Sequence, residues 1–168
     1  MPDTRDGKVY YSFEEIGRLT CKIVDEIARQ HVSIDVIVAI STVGWIPGLL
    51  LKKILSTKER PIPGYSIGIA NYDEQNNMLP YPVLYQPLPS SVQFQNKSVL
   101  LIDEVADSGK TFVKAREHVM SFTPRGLYTA VLHHKELSMF AANFIGEHVG
   151  EKWIVYPWEE FTPQKPVP

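Results

Sequence analysis

One cysteine, Cys21, stands in the whole chain of 168 residues. That excludes an intramolecular disulfide and any cysteine-based metal cluster. The residue falls in a helical pattern of apolar positions and is expected to be inert core. No apolar run approaches the length needed to cross a membrane. No excess of one charge exists: the net value is −2. Nucleic-acid and membrane partners therefore lack an electrostatic footprint. Internal repeats, low-complexity tracts and linkers are absent as well. The first residues, Met1 to Asp6, are polar and carry no signal-peptide core. These absences lead to the expectation of one cytoplasmic α/β domain over residues 1–168.

What is present alternates. Ser12-Phe13-Glu14-Glu15 is a capping box before Ile16, Leu19, Ile23 and Ile27 at helical spacing. Asp35 to Ile40 is a buried strand, and Trp45 to Leu55 a helix with Pro47 in its first turn. Further strands are expected at Ser66–Ala70, Val99–Ile102, Tyr128–Leu132 and Phe144–His148, with helices at 110–120 and 136–142. Asn71 to Gln95 shows no core period and is expected to be a long lid-like segment with a hairpin near Val83–Tyr85. Alternation of this kind implies a mostly parallel central sheet flanked by helices.

The densest chemistry lies in Val99-Leu100-Leu101-Ile102-Asp103-Glu104-Val105-Ala106-Asp107-Ser108-Gly109-Lys110-Thr111. An uncharged strand runs into two adjacent carboxylates. A small, hydroxyl-rich turn follows and opens a helix. Ligands of open α/β sheets bind beyond the carboxyl ends of strands, and helix N-termini attract phosphate. Paired carboxylates at such a place need a cation or hydroxyl donors. The layout suits a sugar phosphate. Asp107 or Ser108 as a simple helix cap is the plainer alternative, but capping leaves the acidic pair unexplained. A Walker loop is excluded, because Glu104 stands where its first glycine belongs.

This stretch resembles the phosphoribosyl-pyrophosphate motif of the type I phosphoribosyltransferases. The resemblance extends from the first helix to Glu160, and its purine-specific members match best. It implies that Asp103 and Glu104 hold the ribose hydroxyls, directly or through Mg²⁺-bound water. Ala106, Asp107, Ser108, Gly109, Lys110 and Thr111 would bind the sugar phosphate, with Asp107 also the catalytic base toward purine N7. Ser41, Thr42, Val43 and Gly44 correspond to a pyrophosphate loop; the family's usual arginine is missing, and only Gly44 and the trailing Ile46-Pro47 match well. Asn71 and Tyr72 resemble the start of a flexible catalytic loop. Lys135 corresponds to the lysine that donates to the C6 oxygen of a 6-oxopurine. Lys152 to Glu159 resembles a hood segment, with Trp153 stacking on the base and Ile154 reading its edge. The hood itself is expected mainly from residues 143–160. Trp158 is expected to pack, and His133 and His134 to form a solvated strand end rather than a metal site.

The implied activity is transfer of phosphoribose to guanine, hypoxanthine or xanthine, in a homodimer or homotetramer, with small-molecule substrates as the only other partners. A non-catalytic regulator that binds phosphoribosyl pyrophosphate or a purine nucleotide is the alternative.

Overall fold

The computed structural model describes residues 2–72, 75 and 77–160. Twelve elements follow in chain order: β1 (Asp3–Arg5), β2 (Lys8–Tyr10), α1 (Phe13–Arg29), β3 (Val36–Ser41), α2 (Trp45–Leu55), β4 (Gly64–Tyr72), β5 (Met78–Gln86), β6 (Ser98–Ala106), α3 (Lys110–Met120), β7 (Gly126–Lys135), β8 (Phe144–Val149) and β9 (Trp153–Val155).

Six strands form the main sheet in the order β5-β4-β3-β6-β7-β8. All of its pairings are parallel except β4 with β5. Strands β3 and β6 sit side by side at its centre. From β3 the chain crosses through α2 to β4, and from β6 through α3 to β7, in opposite directions along the sheet. Their shared C-terminal end is a topological switch point, where α/β sheets place ligands.

Burial follows the strand period. Ile37, Ala39, Leu100, Ile102, Ala130 and Leu132 join one core layer with Ile16, Leu19, Ile23 and Ile27 of α1 and Leu51 of α2. Val38, Ile40, Val99, Leu101 and Val131 face the opposite layer with Phe112, Ala115 and Val119 of α3. Helix α1 begins as its sequence implies: both reciprocal bonds of the Ser12–Glu15 capping box form. At the base of the sheet the Asp35 carboxylate accepts from Ser98 N at 2.8 Å, Arg60 at 3.0 Å and Arg125 at 3.3 Å.

Several expectations change. Residues 71–95 are not one long lid. Strand β5 pairs antiparallel with β4 and is the sheet's edge, where Pro80 and Pro82 cost no ladder hydrogen bonds on the outer side. Beyond it, Leu88, Val92 and Phe94 are buried in the second core layer. Asp73, Glu74 and Asn76, in the expected mobile part, lie outside the described residues, as does the tail from Phe161. Residues 136–142 form no helix. Their backbone is used elsewhere: Ser138 N turns back to Lys135 O, and Met139 N donates to Ser108 O. Cys21 is exposed, not core, because it lies off the buried stripe of α1.

Residues 143–160, expected to supply most of a hood, divide between two sheets: β8 belongs to the main sheet, and β9 joins a separate sheet of order β1-β2-β9, in which β2 and β9 are parallel.

Candidate functional site

The motif strand is longer than its apolar run. Strand β6 continues to Ala106 against β7, yet it pairs with β3 only as far as Ile102. The sheet therefore opens between β3 and β6 where the two carboxylates stand. Asp103 is buried and Glu104 half-buried. Glu104 N donates to Asp103 Oδ1 at 3.0 Å. Burial, followed by the charge of Glu104, pushes the Asp103 carboxyl well above its ordinary value. Glu104 Oε2 is buried and has no hydrogen-bond partner among the described residues. Carboxylate oxygens of this kind call for a donor or a cation from outside.

Helix α3 starts behind Gly109, whose φ of +81° is one glycine adopts freely. The N-cap, Gly109, has no side chain to cap with, and Asp107 does not take its place; Ser108 Oγ accepts from Lys110 N at 3.4 Å. Instead the Asp107 carboxylate lies 3.3 Å from Lys135 Nζ. Lys135 is almost wholly buried, while the Asp107 side chain is 62% exposed. The exposed side of that pair makes it a weak stabiliser. Its geometric content matters more: the last residue of β7 and the motif acid share one point. Asn71 is placed there too, its Nδ2 donating to Thr111 Oγ1 at 2.9 Å.

The second junction, after β3, packs against the first. A Cβ on Gly44 would stand 2.5 Å from the Ile40 carbonyl and 2.9 Å from Asp103 Oδ1, so only glycine permits this approach. The Ser41–Thr42 peptide is cis. Thr42 is exposed and Val43 half-buried.

A cleft of about 440 Å³ unites these parts. Ser41, Thr42, Val43, Asn71, Asp103, Glu104, the turn from Asp107 to Thr111, and Trp153 line it, together with Ile69, Leu79 and Pro82, which the sequence did not single out. Lys110 is the only cationic side chain on its wall among the described residues. Gly44, Ala106, Lys135 and Ile154 do not line it. The Ile154 side chain is buried in the first core layer. Trp153 is 62% exposed at the rim of the cleft. Only the backbone of Tyr72 is described, in β4. A larger hollow of about 810 Å³ lies between β1, β2 and the start of α1 and contains none of the motif residues.

This layout has known counterparts. The purine phosphoribosyltransferase of Pyrococcus horikoshii superposes with a TM-score of 0.77 at 27% identity, over 95% of this chain and 99% of that one. The fold is that of the type I phosphoribosyltransferases. Sequence similarity agrees with this. Xanthine phosphoribosyltransferase 1 of Saccharomyces cerevisiae is 24% identical over 90% of both chains. The hypoxanthine-guanine phosphoribosyltransferase of Schizosaccharomyces pombe is 27% identical over 90% of this chain and 89% of its own. Both relatives are enzymes of the phosphoribosyltransferase class by name. No family model matches the sequence.

The structure corrects one further expectation at this site. His133 and His134 are not a solvated strand end. His133 is fully buried and its Nδ1 lies 2.9 Å from the Tyr156 hydroxyl. His134 Nε2 lies 2.7 Å from the Phe140 carbonyl. Burial, with a smaller contribution from Arg18, pulls His133 down to about 4. Sequence periodicity gives no warning of these contacts, since both partners come from irregular segments. Among the described residues no group of three metal-binding side chains exists.

Proposed function

We propose that the protein transfers phosphoribose from 5-phosphoribosyl 1-pyrophosphate to a 6-oxopurine base, releasing pyrophosphate. The observation that carries this reading is the contact between Lys135 and Asp107. It joins a donor-only side chain, suited to a purine carbonyl, to the acid of the phosphate turn. An adenine acceptor would present an amino group to that ammonium and find no acceptor.

Each residue then has a physical task. The Ser108–Thr111 turn offers backbone N–H groups and hydroxyls to the 5′-phosphate at the start of α3. Asp103 and Glu104 accept from the ribose hydroxyls, and the unpartnered Glu104 oxygen fits that role. The same two carboxylates would hold Mg²⁺ if substrate oxygens complete its shell; the ion supplies charge neutralisation to the departing pyrophosphate. Asp107 takes the N7 proton as N9 attacks the sugar carbon. Trp153 stacks on the base, a contact contributing about 1–3 kcal/mol. Lys135 leaves Asp107 partly or wholly to meet the C6 oxygen. Much of the rate derives from holding base and sugar in line.

The loop of Thr42 and Val43 favours a second reading. It offers no side-chain cation to pyrophosphate, as a regulator that only binds phosphoribosyl pyrophosphate or a purine nucleotide would tolerate. One assay separates the two. Phosphoribosyl pyrophosphate and Mg²⁺ are supplied with guanine, hypoxanthine, xanthine, adenine or uracil, and pyrophosphate release is followed. Release with the 6-oxopurines alone supports the transferase. Binding without release from any base supports the regulator.

A further inference from the structure

Three consecutive residues at the end of β7 each meet a different part of the phosphoribose motif. Lys135 meets Asp107 directly. The two histidines before it reach the motif through a second residue.

On the first core layer, the Tyr156 hydroxyl donates its single proton to the Glu104 carbonyl at 3.0 Å. His133 Nδ1, 2.9 Å from the same oxygen, must then be the donor to it. His133 therefore carries a proton on Nδ1, and its Nε2 is buried without a partner among the described residues, which disfavours a second proton there. The Tyr11 ring covers the imidazole at 4.1 Å, and Trp158 stacks on Tyr156 at 4.6 Å and 6°. Tyr156 follows β9 directly, so this contact ties the three-stranded sheet to the backbone that carries the acidic pair.

On the second layer, the Phe140 carbonyl can only accept, so His134 Nε2 bears the proton. Phe140 is the rear support of the phosphate turn. Its ring stacks on Phe112 at 4.8 Å and 12°. Its backbone lies so close to Gly109 that a Cβ there would stand 2.8 Å from Phe140 N. The neighbouring Met139 N donates to Ser108 O at 3.2 Å.

We infer that His133 and His134 are positioning residues that fix the two halves of the site from opposite sides of β7: His133, through Tyr156, the acidic pair, and His134, through Phe140, the phosphate turn. The inference rests on the transferase reading for its kinetic consequences, though not for its structural ones. Loss of an outer partner that orients metal ligands typically costs about 10–100-fold in activity or affinity, and a loss at the lower end of that range is expected for these braces. The two losses differ in kind. A phosphate held equally in ground and transition states appears in KM, whereas carboxylates facing developing sugar charge appear in kcat.

The test compares wild type, Tyr156→Phe, His134→Leu and His134→Gln by steady-state kinetics, thermal unfolding and amide hydrogen exchange. His134→Leu is expected to raise KM for phosphoribosyl pyrophosphate about tenfold and to speed exchange in peptides spanning 107–112. His134→Gln, which keeps a donor near the Nε2 position, restores both. Tyr156→Phe is expected to lower kcat about tenfold and to speed exchange around 102–106 only. Should His134→Leu not fold, His134→Asn removes the same donor reach in a smaller polar side chain. Unchanged local exchange, no rescue by Gln, or equal loosening along the whole chain would overturn the inference. Absence of transfer by the wild type with every base would overturn the function reading alone, because local exchange still decides whether the braces exist.

Discussion

Replacing Gly109 by alanine should damage the protein twice. The residue adopts φ +81°, and a Cβ there would meet Phe140 Cβ at 2.5 Å and Phe140 N at 2.8 Å. The left-handed backbone costs a non-glycine residue about 1–2 kcal/mol. Forcing a methyl against a packed neighbour costs about 1–3 kcal/mol. The sum is about 2–5 kcal/mol, or a fall in Tm of about 4–20 °C for a chain of this size. Phe140 cannot yield freely, since Phe112 and His134 hold it from both ends. The phosphate turn must therefore move, and affinity for phosphoribosyl pyrophosphate should fall with stability. Gly7 supplies the control: its φ is +73°, but nothing lies within 4 Å of an added Cβ. Gly7→Ala should show only the backbone cost of about 1–2 kcal/mol and unchanged ligand affinity. Urea unfolding and calorimetric titration with phosphoribosyl pyrophosphate measure both effects. Equal losses for Gly109→Ala and Gly7→Ala would refute the claim that Phe140 buttresses the turn.

Other perturbations separate roles at the same site. Lys135→Ala should impair guanine and hypoxanthine use selectively; equal loss with every base would mark the lysine as structural. Asp107→Asn should leave sugar-phosphate affinity nearly intact while lowering turnover about 10²–10⁴-fold, and unchanged turnover in a single-turnover assay removes it as the base. His133 titrates at about 4 when folded against 6.5 ordinarily. Its unfolded form thus takes a proton that the folded form refuses, so stability present above about pH 6.5 is lost as pH falls toward 4, by up to about 3 kcal/mol. Urea midpoints between pH 7 and 4 should fall less steeply in His133→Asn than in wild type; parallel curves would contradict the buried, neutral imidazole. Asp35→Ala should cost about 1–3 kcal/mol by leaving Ser98 N without its acceptor and by removing the carboxylate from two guanidinium groups, of which Arg60 keeps Ile34 O and Arg125 keeps Ser98 Oγ. A midpoint within experimental error of wild type would show that these groups find water instead.

The central layers were legible because their signals are periodic. The buried stripe of α1 and the uncharged core of β6 obey helix and strand spacing, and neither depends on distant residues. Helix α3 runs over the residues its turn chemistry implied. The outer parts followed other rules. Pro80 and Pro82 argue against a strand until β5 is known to be an edge. Residues 136–142 carry helix-tolerant side chains, but the hydrogen bond of Met139 N to Ser108 O and the stacking of Phe140 on Phe112 override that propensity. The candidate site divides in the same way. Its carboxylates and phosphate turn lie within one contiguous stretch and could be read directly. The contact of Lys135 with Asp107 depends on the register of β7 on β6 and was not foreseen, since family resemblance gave each residue only its own role. Nothing local to His133-His134 told that each would meet a partner across a different core layer. Val43, in a loop that usually carries glycine, remains without a structural explanation.

The three-stranded sheet has a consequence for how such a chain acquires its site. Residues 8–10 pair with residues 153–155, so a β-strand made among the first must wait for one made among the last. During synthesis the acidic pair and the phosphate turn emerge with their own neighbours, some fifty residues before Trp153. A nascent chain at that stage holds the carboxylates and the turn that line the cleft without Trp153 on its far wall. The β2–β9 ladder then completes that wall, and among the described strand pairings it closes the longest loop, at the largest entropic cost.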